Sequence, residues 1–484
     1  MRTLATLAAA ASLLAVTACS SQPEAPAATG TATTAAPAAT TAAAAGSPAA
    51  SKIGLDAAFG KDGVAKVALA GTGNQRFMAT APGPDGKIYA AGFVSLSGGD
   101  TAMALARLDA KGALDKSFGK DGVASVNVAI GGKSVEVARG IAVQSSGKIV
   151  ITGPVEHDVA ATGDAAKDTD VAVVRFAADG KVDTTFGKGG VAVIDVGTGK
   201  AVGTSFVSDS VWGIGSLPGD KLVLMTNTLA TGAGRSDADF ALVGLTSAGA
   251  LDTAFGTDGK VVVDLGASLD NARHLVVQPD GKILGTGYSN IGGVVQPVLI
   301  RTNSAGVLDK EFGKDGVATA KVLDGVAESY SVRQQGSDYI MAGYGRGADS
   351  KEKVDMIVYR FKGNGTWDTA FGEKGVYRLD IAKEDDRARN VLVLSDGRIV
   401  AAGSGKKTAA NIDGMVVLLS KDGQPEKAFG ENGVLITDLG GPADAWFGIA
   451  LSADGKHVIL AGYKGADATS GGNDEAVLGR INLS

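Results

Sequence analysis

From residue 53 onward the apolar positions fall in short runs broken by polar ones, the period-two signature of strands. The stretch 257–302 shows it well. Val261-Val262-Val263 follows Gly259, and His274-Leu275-Val276-Val277 runs into the turn Pro279-Asp280-Gly281. Ile283-Leu284 and, after a loop, Val298-Leu299-Ile300 complete a set of four predicted strands. Pairs such as Asp85-Gly86, Asp280-Gly281, Asp396-Gly397 and Asp454-Gly455 predict hairpin turns, because their backbone twist suits antiparallel neighbours. No helix-period segment follows residue 50.

The set repeats. A Phe-Gly pair recurs at Phe59, Phe118, Phe186, Phe255, Phe312, Phe371 and Phe429, in steps of 57 to 69 residues. A Leu-Asp or Val-Asp precedes five of the pairs, as in Leu251-Asp252, while the sixth reads Trp367-Asp368 and the seventh Pro425-Glu426. Repetition at this period signals units that bury their apolar faces only by stacking on their neighbours. Seven four-stranded antiparallel units predict an all-β chain folded as a seven-bladed β-propeller over residues 53–484, whose radial repetition leaves only short sheet edges. The last unit ends without a Phe-Gly strand, so residues 55–69 are expected to complete its sheet and remove an open edge.

The motifs Gln278-Pro279-Asp280-Gly281-Lys282-Ile283, Leu251-Asp252-x-x-Phe255-Gly256 and Asp170-Val171-Ala172-Val173-Val174-Arg175 resemble the delta-60 repeat family, bacterial propellers related to the NHL type. The resemblance covers about residues 53–484 and implies a fold rather than one activity.

The first fifty residues read differently. Arg2 precedes the apolar run Leu4–Val16, too short to span a bilayer that needs roughly 20 residues. The run leads through Val16-Thr17-Ala18 into Cys19, the chain's single cysteine. This resembles the lipobox of bacterial lipoproteins, which implies a signal peptide over 1–18, acylation (palmitate among the chains) of Cys19, and an extracytoplasmic protein anchored by lipid. The alternative is an ordinary secretory signal with an incidental cysteine. Ser20 in place of Asp implies the outer membrane in a diderm host. Residues 19–52 are almost wholly Ala, Thr, Pro and Ser, too poor in apolar side chains to fold. As a flexible coil they would span about 30 Å.

Composition then narrows the chemistry. With 46 Lys+Arg against 52 Asp+Glu and a formal charge of −6, the chain lacks the basic stripe of a nucleic-acid binder. One cysteine excludes an internal disulfide and a thiolate zinc site. His157, His274 and His457 fall in three different units and none has metal-ligand spacing. No G-x-S-x-G elbow occurs.

Loop lengths separate two faces. Phe118 follows Arg107 by eleven positions, as Phe186 follows Arg175, Phe312 follows Arg301 and Phe371 follows Arg360, whereas the gap between second and third strands varies from 8 intervening residues (Gly287 to Gln296) to 16 (Gly153 to Asp170). Variable loops on a rigid scaffold are where binding resides. The same face is expected to collect Gln75, Glu136, Asp209, Asp270, Glu328, Asp386 and Asp444, one before each inner strand. A second set, Asp170, Asp239, Asp355, Asp413 and Glu475, opens the third strands. These acids form either a rim that attracts a divalent cation or basic ligand, or a repeated structural clamp on backbone donors. Trp212 and Trp446, with Tyr330, break the symmetry near the inner strands; they stack on a ligand or fill the core. No resident cofactor is predicted. The leading expectation is a membrane-anchored, non-catalytic binding or scaffold module for a protein, peptide or glycan. The alternative is a propeller enzyme of lyase, lactonase or dehydrogenase type.

Overall fold

The computed structural model describes residues 54–129, 136–163, 165–202, 205–230, 237–266, 270–408, 411–466 and 472–483. The expected signal peptide (1–18), the expected lipidation site Cys19 and the expected linker (19–52) lie outside the described residues. Those described are all-β apart from four short 3₁₀ turns.

Each sheet is an up-and-down meander. Gln75–Pro82 leads through Ile88–Ser95 and Thr101–Leu108 to Val123–Val126, and the same four-strand order holds over 140–194, 211–263 and 387–437. A nine-stranded sheet carries two further sets, 271–319 and 331–379, joined by the short strand Val326–Ala327. The last set takes three strands from the chain's end, Ala445–Leu451, His457–Lys464 and Glu475–Asn482, and its fourth from the beginning. There Val64–Val67 pairs antiparallel with Glu475–Asn482, Val64 facing Gly479 and Val67 facing Ala476.

Third strands are covered on both faces, so Thr101–Leu108 and Ala238–Leu245 are buried at every position and their sequences lose the alternation. The core lies between sheets. Phe118 packs with Tyr89, Ala138, Ile151 and Val174, drawing on two neighbouring sets, and Phe59 joins Phe77, Ile459 and Leu478 from both ends of the chain. All the Phe-Gly phenylalanines are at most 2% exposed. Burying each ring contributes up to about 3 kcal/mol.

The frozen eleven-residue spacing has a physical cause. Arg107 Nε donates to Asp115 at 2.8 Å, its Nη1 donates to the Ala178 carbonyl of the next repeat at 2.6 Å, and its guanidinium lies 4.7 Å from the Phe118 ring centre. Arg175 repeats this with Asp183, the Ser247 carbonyl and Phe186; Arg301 does so with Asp309, the Gly363 carbonyl and Phe312. Arg360 uses Asp368, the Lys421 carbonyl and Phe371. Arg480, near the C-terminus, uses Asp56, the Ala110 carbonyl and Phe59, all from the first repeat region. One arginine thus ties its own turn, its own ring and the adjoining repeat.

The Asp-Gly turns divide into two kinds. After a Phe-Gly pair both residues are left-handed, as at Asp121 (φ 55°) and Gly122 (φ 98°), the requirement of a type I′ hairpin. Between first and second strands, Asp280-Gly281 has positive φ only at the glycine (83°), whereas Asp85 (φ 54°) and Gly86 (φ 71°) are both left-handed.

First strands of successive sets touch in chain order, and Ala445–Leu451 touches Gln75–Pro82.

Candidate functional site

The rim acids sit just before the first strands and are turned inward to the protein. Glu136, Asp209, Asp386 and Asp444 are 0% exposed. Each accepts backbone N–H groups from the connection that leads into its strand, and Asp386 and Asp444 accept one more from the end of the second strand. Glu136 takes Val128 (2.9 Å) and Ala129; Asp209 takes Val196 (2.5 Å) and Gly197 (3.2 Å). Asp386 takes Ile381 (2.5 Å) and Lys406 (3.2 Å), and Asp444 takes Leu439, Gly441 and Gly465. Gln75 does the same for Leu69 at 2.5 Å, which explains why an uncharged acceptor serves at that position. Asp270 accepts from Ser289 Oγ. Burial outweighs these donors. It pushes Asp209 up to about 8 and Asp386 and Glu136 up to about 7, with neighbouring carboxylates pushing the same way.

Glu328 does not share this position. A Cβ on Gly403 would lie 1.8 Å from the Arg387 carbonyl, the residue after Asp386, and one on Gly343 would lie 2.0 Å from the Glu328 carbonyl. Glu328 therefore corresponds to the residue after each acid, and Ala327 occupies the acid's place. Along a strand a one-residue shift reverses the face. Glu328 accordingly stands beside the Tyr288 and Tyr344 hydroxyls and the Arg273 charge, and burial raises its carboxyl above the usual range.

Three residues after each acid position the register slips. Bulges fall at Met78, Trp212, Arg273, Arg389 and Phe447, each flanked by paired neighbours on its own strand. Arg139 and Tyr330 hold the equivalent places in the other two sets. All seven side chains line one small cavity of about 40 Å³, joined by His274 and Asn390. The order around it alternates cations and rings. Arg139 lies 4.2 Å and Arg273 5.1 Å from the Trp212 ring centre; Arg273 lies 4.7 Å and Arg389 5.1 Å from Tyr330; Arg389 lies 5.3 Å from Phe447.

Of the two tryptophans singled out from the sequence, Trp212 lies on this cavity, edge-on to Tyr330. Trp446 is 0% exposed in the apolar core, its Nε1 donating to Thr437 Oγ1 at 2.7 Å. Its neighbour Phe447 takes the cavity position instead. The missed residues, Met78 and Phe447, had a signal: each follows Gln75 or Asp444 by three, as Arg139 follows Glu136.

Three groups of side chains could hold a cation, their ligand atoms within 4.8 Å of one another: Asp355 with Asp380 and Asp386, Asp413 with Asp438 and Asp444, and His157 with Asp170 and Asp195. In the first two groups one acid from each of the two sets read from the sequence meets the other. The third member closes the preceding outer strand, and its signal is a six-residue step repeated as Asp264 to Asp270, Asp380 to Asp386 and Asp438 to Asp444. Asp355 is already engaged by Arg378, and Asp170 by His157 Nδ1 at 2.9 Å, whose imidazole it raises. A larger groove of about 720 Å³ runs between Leu435–Leu439 and Gly60–Lys66 on the outer strands, and of the three groups it is lined by Asp438 alone.

Residues 83–118, 144–186 and 278–312 match the family described as "Domain of unknown function (DUF5122) beta-propeller". No functionally curated protein matches the chain by sequence. Among solved structures, a protein of unknown function from Dyadobacter fermentans is 8% identical, with 87% of this chain and 98% of that one covered and a TM-score of 0.41. Sqt1 of Chaetomium thermophilum is 9% identical over 86% of this chain and 96% of that one, with a TM-score of 0.41. A luciferin-regenerating enzyme is 10% identical over 87% and 94%, with a TM-score of 0.35. Each segment matched by the family runs from the turn after a first strand to the Phe of a Phe-Gly pair, and the described residues are an all-β fold of β-propeller repeats.

Proposed function

We propose that residues 53–484 form a closed seven-bladed propeller that acts as a non-catalytic binding module, held outside the cytoplasm by lipid on Cys19 through the 19–52 linker. The observation that carries the binding role is the contrast between faces. Arg–Asp–Phe clamps fix one connection at constant length, while the connections around the first strands vary on a rigid frame, the usual setting of recognition. The anchor rests on Leu4–Val16 and the Val16-Thr17-Ala18-Cys19 sequence. Several acyl chains at ~0.8 kcal/mol per buried CH₂ hold a protein on a membrane where one would not.

Labelled palmitate fed to cells tests the anchor: the protein incorporates label and fractionates with membranes, and Cys19→Ser abolishes both. Small-angle scattering of the folded region tests the ring, with a radius of gyration near 22 Å expected for compact packing; an open superhelix gives a much larger value. A thermal-shift panel of envelope glycans and peptides tests binding. One observation favours an enzyme as the second reading, namely the Asp355, Asp380 and Asp386 group. Stoichiometric metal surviving dialysis, with turnover of a substrate, would replace the binding module with that reading.

A further inference from the structure

The cavity at the first strands carries an excess of positive charge with little to answer it. Arg139 and Arg389 make no side-chain hydrogen bond or ion pair among the described residues; their partners are ring faces. Arg273 donates to the Tyr288 and Tyr330 hydroxyls and the Ala272 carbonyl. The Nε atoms of Arg273 and Arg389, which flank Tyr330, are buried without an acceptor. Arg333 adds a fourth guanidinium, spending its donors on His274 (3.0 Å), Asn390 and the Val332 carbonyl. Glu328 is the carboxylate near Arg273. A buried guanidinium with an unmet donor is costly unless an anion answers it.

We infer that this constriction is a binding site for the carboxylate group of a ligand. The chemistry follows from the rings. Trp212, Tyr330 and Phe447 cover guanidinium faces, so the edges remain for bonding, and an edge pairs with a planar acceptor through two parallel N–H bonds. The volume agrees. About 40 Å³ exceeds the roughly 10–15 Å³ a single water needs. It suits a carboxylate and has no room for a sugar ring, so the rest of the ligand extends toward the variable loops. The site deepens the binding role and rests on the closed ring proposed for it.

Trp212 supplies the reporter. The purified full chain is titrated with acetate at low ionic strength, with phosphate and chloride as competitors, while tryptophan emission is followed. Acetate should give a saturable change that Trp212→Phe removes. Arg139→Gln and Arg389→Gln, which break no protein hydrogen bond, should keep the parent's melting behaviour and weaken acetate about tenfold or more. Glu328→Gln, which removes the internal carboxylate, should tighten it several-fold. Lys181→Gln, at an exposed site, should change nothing. Absence of saturable binding overturns the inference, as does equal affinity in the arginine variants, equal weakening by Lys181→Gln, or tighter binding of phosphate or chloride. Scattering separates the failures: a compact ring without acetate binding sinks this site alone, and an open arrangement sinks the ring with it.

Discussion

An arginine stacked on a phenylalanine, paired with an aspartate and bonded to the next repeat's turn does three jobs from one position. Arg175 is 3% exposed, and its loss would leave the half-buried Asp183 with only Lys148 as a cation and the Ser247 carbonyl without its donor. Arg175→Gln should therefore cost about 3 kcal/mol, read as a lower midpoint in urea. Arg175→Lys keeps the charge but neither the fork nor the flat stacking face, and should recover less than half of that loss. The carboxyls divide by pH. Hydrogen bonds from Lys87 and Ser117, then the Arg107 charge, hold Asp115 far below the usual range, so its stabilisation is present above about pH 4 and lost as pH falls further. Asp209 behaves in the opposite sense. Its folded value near 8 lies above its ordinary 3.8, so between those limits the unfolded chain releases a proton that the folded one keeps, and stability falls as pH rises through that window. Asp209→Asn should flatten the pH dependence of melting between about pH 5 and 8 and melt higher than the parent at pH 8, in calorimetry. An unchanged slope would show Asp209 ionised in the fold. The arginine-to-phenylalanine spacing and the aspartate between them were visible in the sequence; the pairing of that aspartate with the arginine and the ring beneath the guanidinium were not, since a spacing carries no direction in space.

Elements show where reading the sequence stops. Four strands per set follow from alternation and turn residues, and the sheets reproduce them. The bulges did not show, because a bulge inserts one residue without altering composition. Glu328 illustrates the consequence. Counted by its charge it joins the rim acids, but register places Ala327 there and turns Glu328 to the other face. The bulge also leaves a fingerprint across the sheet. A side chain at Gly403 would drive its Cβ to 1.8 Å from the Arg387 carbonyl, so Gly403→Ala should cost upward of about 2 kcal/mol, by denaturant titration, through displacement of the first strand. Because that strand carries Arg389, the same change should weaken acetate binding, whereas Gly98→Ala, which meets nothing within 4 Å, should leave binding intact.

Across the whole molecule, repetition made the architecture legible and symmetry-breaking made the site hard to see. Seven equivalent places hold Met78, Arg139, Trp212, Arg273, Tyr330, Arg389 and Phe447, and only their convergence on one cavity reveals them as a set. The pairing of Val64–Val67 with Glu475–Asn482 is the other long-range property. Removing residues 54–69 strips the last sheet of Val64–Val67 and takes away Asp56 and Phe59, the partners of Arg480. Such a truncation should aggregate on size-exclusion chromatography through the exposed edge of Glu475–Asn482, and a separately added peptide covering 54–69 should reduce it.

Joining the first strand to the last also sets a timetable. Synthesis at roughly 5–20 residues per second keeps Val64–Val67 waiting for its partner for some tens of seconds. Until the hairpin of His457–Lys464 and Glu475–Asn482 emerges, the backbone edge of Val64–Val67 has no strand to pair with. The pairing that completes the last sheet therefore forms only after every other set of strands has been made.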